Sequence, residues 1–241
     1  MSRMKRFVIT GGSRGIGLSC AKMLLAQGRK VIIVSRSAPP EKIDAEFISA
    51  DLSNEATTLA AIEQIKSIGP IDGVVNNVGV TLAEKLEAMS WAELSRVMEL
   101  NVRPAVLFTQ AGIEHMKQAR WGRIINIGSM LIAGSPNRSS YAAAKSALMS
   151  FTRTWAVECA ESGITVNAVC PGATETELFR KNNPRGSAGE LKYIQGAPLK
   201  RLASPDEIAS AVAYFASDLA GFCTGQILFV DGGTMVGRSF F

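Results

Sequence analysis

The stretch Thr10-Gly11-Gly12-Ser13-Arg14-Gly15-Ile16-Gly17 follows a short apolar run at 6–10 and passes directly into a segment with helical periodicity at 16–27. A strand that turns through glycines into a helix brings backbone N–H groups and the positive end of the helix to one point, where an anion is favoured. Residues without a Cβ are needed where the chain turns tightly, where a pyrophosphate approaches and where the helix packs on the strand. Gly11, Gly15 and Gly17 suit those three tasks, and the context is that of a dinucleotide site.

Outward from this loop, β-branched runs alternate with helix-period segments. Strands are predicted at 6–10, 30–34, 46–50, 73–76, 122–127, 165–169 and 226–230, and helices at 16–27, 55–68, 90–117 with a bend near Pro104, 140–161 and 206–217. Ser204-Pro205-Asp206-Glu207 is a good helix start, with proline early and acids near the positive end. The alternation implies an α/β fold, a Rossmann-type doubly wound parallel sheet with helices on both faces. Only about ten residues, including Pro39-Pro40, join the second and third strands, so the second crossover helix is short or absent. Residues 179–198 are polar, Gly-rich and weakly periodic, and are expected to form a mobile lid. With no repeat and no linker-like shift in composition, residues 1–241 read as a single domain.

The chain is 47% hydrophobic over 241 residues, enough to bury a sheet between helical layers. Its net charge of +5 comes from scattered Lys and Arg residues, which argues against nucleic-acid binding. Cys20, Cys159, Cys170 and Cys223 form neither a CxxC pair nor a zinc-like spacing with histidine, so no metal is expected and all four read as small buried apolar residues. The longest apolar stretches are strand-length, and no membrane span is expected. A cytoplasmic location fits these features, together with a start that lacks a signal-peptide pattern.

Tyr141 and Lys145 lie four positions apart in an alanine-rich helical segment and therefore share one face. A free tyrosine titrates near pH 10, too high for efficient proton exchange at neutrality, and an adjacent ammonium is expected to lower it by favouring phenolate. His115, the single histidine, falls at the distal end of a predicted helix and reads as a solvated residue, not as a base.

The ordered set Thr10-Gly-x-x-x-Gly-x-Gly17, Asp51-Leu52, Asn76-Asn77-Val78-Gly79, Asn101, Ser129, Tyr141-x-x-x-Lys145 and Pro171-Gly172-x-x-x-Thr176 spans nearly the whole chain and resembles the short-chain dehydrogenase/reductases. The resemblance implies an enzyme with a seven-stranded parallel sheet. It implies a catalytic set in which Tyr141 exchanges a proton with the substrate oxygen, Lys145 tunes it and binds the nicotinamide ribose, Ser129 hydrogen-bonds the substrate oxygen and Asn101 supports a water-linked relay. It also implies a cofactor set: the loop residues Gly11, Ser13, Arg14, Gly15, Ile16 and Gly17, then Asp51 and Leu52 near the adenine, and Asn77 and Gly79 beside ribose or phosphate. Pro171, Gly172, Thr174 and Thr176 complete it near the nicotinamide. Two departures stand out. Ser129 and Tyr141 are twelve positions apart, one fewer than in familiar members, which shortens a loop that shapes the substrate pocket, and Val78 replaces the usual alanine.

A carboxylate at the end of the second strand would hold the adenine ribose hydroxyls and repel a 2′-phosphate, but Ser35-Arg36 stands there. Arg14 and Arg36 can both approach that phosphate, so NADP(H) is preferred, with NAD(H) the alternative. The C-terminal part, including residues 197–201 and Asp231-Gly232-Gly233, is similar to that of 3-oxoacyl-[acyl-carrier-protein] reductase-like members. The expected substrate is a small-molecule carbonyl or alcohol: reduction of a ketone, with a 3-oxoacyl thioester as one case, or oxidation of a secondary alcohol or cyclic dihydrodiol. A non-catalytic cofactor-binding regulator is disfavoured by the intact Tyr141 and Lys145. The resemblance implies a homo-tetramer, with apolar residues of 142–155 and 227–230 at its interfaces; the paired phenylalanines of the Ser239-Phe240-Phe241 terminus, an odd free end for a soluble protein, are expected to dock on a neighbour.

Overall fold

The apolar runs become seven strands in a computed structural model that describes residues 3–236. In chain order the elements are β1 (Arg6–Thr10), α1 (Gly15–Ala26), β2 (Lys30–Ser35), β3 (Glu46–Ser49), α2 (Glu55–Ile68), β4 (Gly73–Asn76), α3 (Trp91–Asn101), α4 (Arg103–Ala119) and β5 (Gly122–Ile127). They continue with α5 (Ser139–Cys159), β6 (Ile164–Pro171), α6 (Glu177–Asn182), α7 (Ala188–Gly196), α8 (Pro205–Ala216) and β7 (Ile227–Val230). The sheet order is β3-β2-β1-β4-β5-β6-β7, with every pairing parallel. Winding reverses between β1 and β4, which opens a crevice beyond the carboxyl ends of the strands.

Alternate strand residues feed two cores. Val8, Ile32, Val74, Ile124 and Val166 pack with Ile65 of α2, Phe108 and Met116 of α4 and Ala156 of α5. On the other face Phe7, Ile33, Val75, Ile125 and Val169 pack with Leu24 of α1 and Ile208 and Val212 of α8. Strands buried on both faces explain the near-continuous apolar runs read from sequence. As expected, no helix forms between β2 and β3; Ile43 and Ala45 of that link pack on the core instead. The helix start expected at 204–207 forms, and it closes as a capping box, Ser204 Oγ accepting from the Glu207 N–H and the Glu207 carboxylate from the Ser204 N–H.

Four expectations need correction. The helix expected over 90–117 is two helices parted at Val102, and Pro104 sits in the first turn of α4, where a missing N–H costs no hydrogen bond. Residues 179–198 are mainly helical: Thr176 Oγ1 and Ser187 Oγ cap α6 and α7, and Arg180 of α6 pairs with Glu175 and with Glu190 of α7. Cys20, Cys159 and Cys170 are buried, but Cys223 is half-exposed in the loop before β7, 3.4 Å from the Tyr214 hydroxyl. His115 is not simply solvated, because its Nε2 lies 3.3 Å from Oδ1 of Asp72, a buried carboxylate that also takes Arg3 at 2.7 Å. This cluster precedes β4, at the end of the sheet remote from the crevice. The terminal segment 237–241 lies outside the described residues.

A buried polar ladder runs across the sheet. Asn76 Nδ2 of β4 donates to Asn126 Oδ1 of β5 at 2.8 Å, and Asn126 Nδ2 donates to Thr152 Oγ1 of α5 at 2.9 Å. Thr152 in turn donates to the Leu148 carbonyl at 2.7 Å. Replacing Asn126 by leucine strips partners from buried groups on both sides, so Asn126→Leu should lower unfolding free energy by about 2–4 kcal/mol. The shift in denaturant midpoint measures it; an unchanged midpoint would show that the ladder contributes nothing to stability.

Candidate active site

The crevice is a cleft of about 1000 Å³. Every site residue singled out in the sequence lines it except Asn101.

At the first βα turn, Gly11 and Gly15 adopt φ of +68° and +53°, backbone geometry that disfavours side chains. A Cβ on Gly17 would collide with the Gly11 carbonyl and lie 2.6 Å from the Asn77 amide, so the third glycine is required by close packing. The turn is tied to the chain after β4: Asn77 Nδ2 donates to the carbonyls of Thr10 and Gly11 at 2.9 and 3.0 Å. Thr10 Oγ1 accepts the N–H groups of Asn77 and Val78 at 3.0 and 3.1 Å. The side chain of Asn77 thus shapes the loop, a role distinct from the direct cofactor contact implied by the family resemblance. No side chain caps the first turn of α1 among the described residues, and no acid lies in it, so its N–H groups face the cleft.

Farther along the wall, Arg14 reaches Ser37 Oγ at 3.2 Å and Glu177 at 3.3 Å, while Ser35 Oγ donates to the Ser37 carbonyl at 2.9 Å. Arg36 lines the same end. The charge of Arg36 helps hold the Asp51 carboxyl below its ordinary value, after the larger effect of two hydrogen bonds from Ser53. Leu52 is buried against the cleft. On the opposite wall, Pro171 ends β6 and Gly172 follows it, Thr174 Oγ1 donates to the Gly172 carbonyl at 3.0 Å, and Thr176 packs 3.2 Å from the Cβ position of Gly15. Ser37 went unnoticed in the sequence because nothing in its local pattern marks it; only the turn after β2 aims it at Arg14.

Deeper in the cleft, α5 presents Tyr141 and Lys145 on one face, and Ser129 follows β5. Lys145 Nζ donates to the Ile127 carbonyl at 2.8 Å and stands 6.0 Å from the Tyr141 ring centre. Burial pushes Lys145 down to about 8. Burial also pushes the Tyr141 phenol up, and Ser129 is the strongest neighbour working the other way. The Lys145 ammonium is directed at a carbonyl, and desolvation is the largest influence on the phenol. Asn101, the last residue of α3, lies behind the wall. Its Nδ2 donates to Val97 and Val80 carbonyls at 2.8 and 3.0 Å, leaving Oδ1 buried without a protein partner. A Cβ built on Gly79 would stand 2.6 Å from this oxygen and 3.2 Å from Lys145 Nζ, so Gly79 keeps the space between them open.

With this geometry in place, similarity to known proteins is informative. Residues 11–235 match the family described as enoyl-(acyl carrier protein) reductase. The 3-oxoacyl-[acyl-carrier-protein] reductase FabG of Salmonella typhimurium is 37% identical over 235 residues, covering 94% of this chain and 95% of that protein. The ligand-free aldohexose dehydrogenase of Thermoplasma acidophilum has a TM-score of 0.90 at 32% identity, covering 99% of this chain and 96% of that one. The structure of ElxO with NADP bound has a TM-score of 0.89 at 29% identity, covering 98% and 100% of the two chains. The chain belongs to the short-chain dehydrogenase/reductase family and is an oxidoreductase of that type.

Proposed function

We propose that this enzyme reduces a ketone to a secondary alcohol with NADPH, the observation that carries the reading being Tyr141, Lys145 and Ser129 at the deep end of a cleft whose other end holds Arg14 and Arg36. The residues fit a dinucleotide: a Cβ-free cradle at Gly11, Gly15 and Gly17, an uncapped helix N-terminus, and a buried unpartnered oxygen on Asn101. Arg14, Ser37 and Arg36 would hold a 2′-phosphate, with Ser35 where an acid would repel it. Asp51 and Leu52 would flank the adenine, and Pro171, Gly172 and Thr174 the nicotinamide. When bound, that group supplies the hydride. Residues 1–241 act as one catalytic domain, with α6 and α7 as its lid.

Ser129 orients the carbonyl oxygen, and Tyr141 donates its proton to that oxygen. The raised phenol suits a donor, since it stays protonated until alkoxide character develops. The unpartnered Asn101 Oδ1 and the space that Gly79 leaves open beside Lys145 would seat a water, through which a proton drawn from solvent would return to Tyr141. Similarity to FabG supports the direction of reduction and 3-oxoacyl thioesters as one substrate class, whereas similarity to an aldohexose dehydrogenase keeps alcohol oxidation as the second reading.

Three measurements test this. In a panel of 3-oxoacyl thioesters, simple ketones and diols, kcat/KM should be at least about tenfold higher with NADPH than with NADH; a higher value with NADH would refute the cofactor assignment. Tyr141→Phe should lower kcat by roughly 10²- to 10⁴-fold while cofactor binding persists, and wild-type turnover would sink the proton-donor role. Because Lys145 titrates near 8 in the free protein and must be charged, kcat/KM should be full below that pH and fall as pH rises through it. A profile flat to pH 10 would remove Lys145 from the relay.

A further inference from the structure

Arg138 lies three residues before Tyr141, at the entry to α5, and its half-buried side chain lines the cleft beside Ser129 and Tyr141. Arg138 stands at the N-cap of α5 in non-helical geometry, and both it and Tyr141 line the cleft. Of the other cations that line the cleft, Arg14 pairs with Glu177, Arg96 with Glu93, and Lys145 with the Ile127 carbonyl, while Arg36 and Lys181 are exposed to solvent. Among the described residues, the Arg138 guanidinium has neither a salt-bridge nor a hydrogen-bond partner. A partly desolvated guanidinium with its planar fork of donors unmatched selects for a carboxylate, which can take two of them at once.

The backbone that carries Arg138 is fixed. Glu84 accepts the Ser140 N–H at 3.3 Å and also takes the Ser140 hydroxyl, while the Glu84 N–H donates to the Asn137 carbonyl at 3.0 Å. These contacts occupy the neighbouring acid and hold Asn137 at φ +60°. Arg138 also sits in the eleven-residue segment between Ser129 and Tyr141, which joins the two walls of the reacting end of the cleft. Its charge acts on the reacting centre as well, favouring the ionised phenol of Tyr141.

We propose that Arg138 binds a substrate carboxylate, so that the enzyme acts on a free oxo acid whose carboxylate lies within a few bonds of the reacting carbonyl, in preference to a neutral ester or thioester. This rests on the reading that the site reduces ketones, and it narrows the substrate class. The test compares 3-oxobutanoate with its methyl ester and its N-acetylcysteamine thioester, following NADPH absorbance. In the wild type, kcat/KM for the acid should exceed that for either neutral form by about tenfold or more, chiefly through KM. Arg138→Gln should bring the acid-to-ester ratio close to one, and Arg138→Lys should retain part of the preference. If the glutamine variant does not fold, the wild-type ratio and the lysine variant decide. Equal or better turnover of the neutral forms by the wild type, or an acid preference that survives Arg138→Gln, overturns the proposal and leaves ketone reduction standing. Failure of the wild type to oxidise NADPH with all three compounds, and with simple ketones, overturns both.

Discussion

Asn126 holds the centre of the sheet to the helix that bears Tyr141 and Lys145. Its amide joins β4 on one side and Thr152 of α5 on the other, inside an otherwise apolar interior where an unmatched partner would be costly. Apolar packing alone would let α5 slide or rotate over the strands with little penalty. The ladder adds direction to that contact, and the bond from Lys145 to the Ile127 carbonyl repeats it about two turns closer to the cleft. Tyr141 therefore inherits its position from the sheet, and the loop after β5 can change length without displacing it.

Much of this could be read from the chain because the fold rests on local rules. Strands buried on both faces announce themselves as apolar runs, glycines mark the turn after β1, and Pro39-Pro40 rule out a second crossover helix. The features that escaped depend on contacts distant in sequence or on burial. Arg180 braces α6 against α7 through Glu175 and Glu190, so these helices gain from ion pairs and caps what their weak periodicity withholds. The partner of His115 is Asp72, at the start of another strand. The spacing of Tyr141 and Lys145 was legible, but not that Lys145 would turn toward a carbonyl and that desolvation would govern both groups.

The two halves of the cleft are built differently. On the dinucleotide side, backbone and small residues dominate: Gly11, Gly15 and Gly17 are locked by Asn77 and Thr10, and little there can vary without a steric clash. The far side is assembled from side chains of separate segments, including Arg138, Leu178, Phe179 and Tyr193. Phe179 and Tyr193 meet edge to face at 5.4 Å between α6 and α7. A rigid half that binds a common group and a composite half that meets the variable one match the division of labour within one oxidoreductase site.

The helix-free link between β2 and β3 has a consequence for how such a protein can diversify. Ser35, Arg36 and Ser37 ride on a strand end whose connection to the next strand is a short loop closed by Ile43 and Ala45. Side chains at this rim can be exchanged without repacking a helix and without touching the ladder that seats α5. On the coenzyme assignment proposed above, the rim that would choose between the two dinucleotides is mechanically uncoupled from the helix that bears Tyr141, so one lineage could switch its source of reducing power without disturbing that helix.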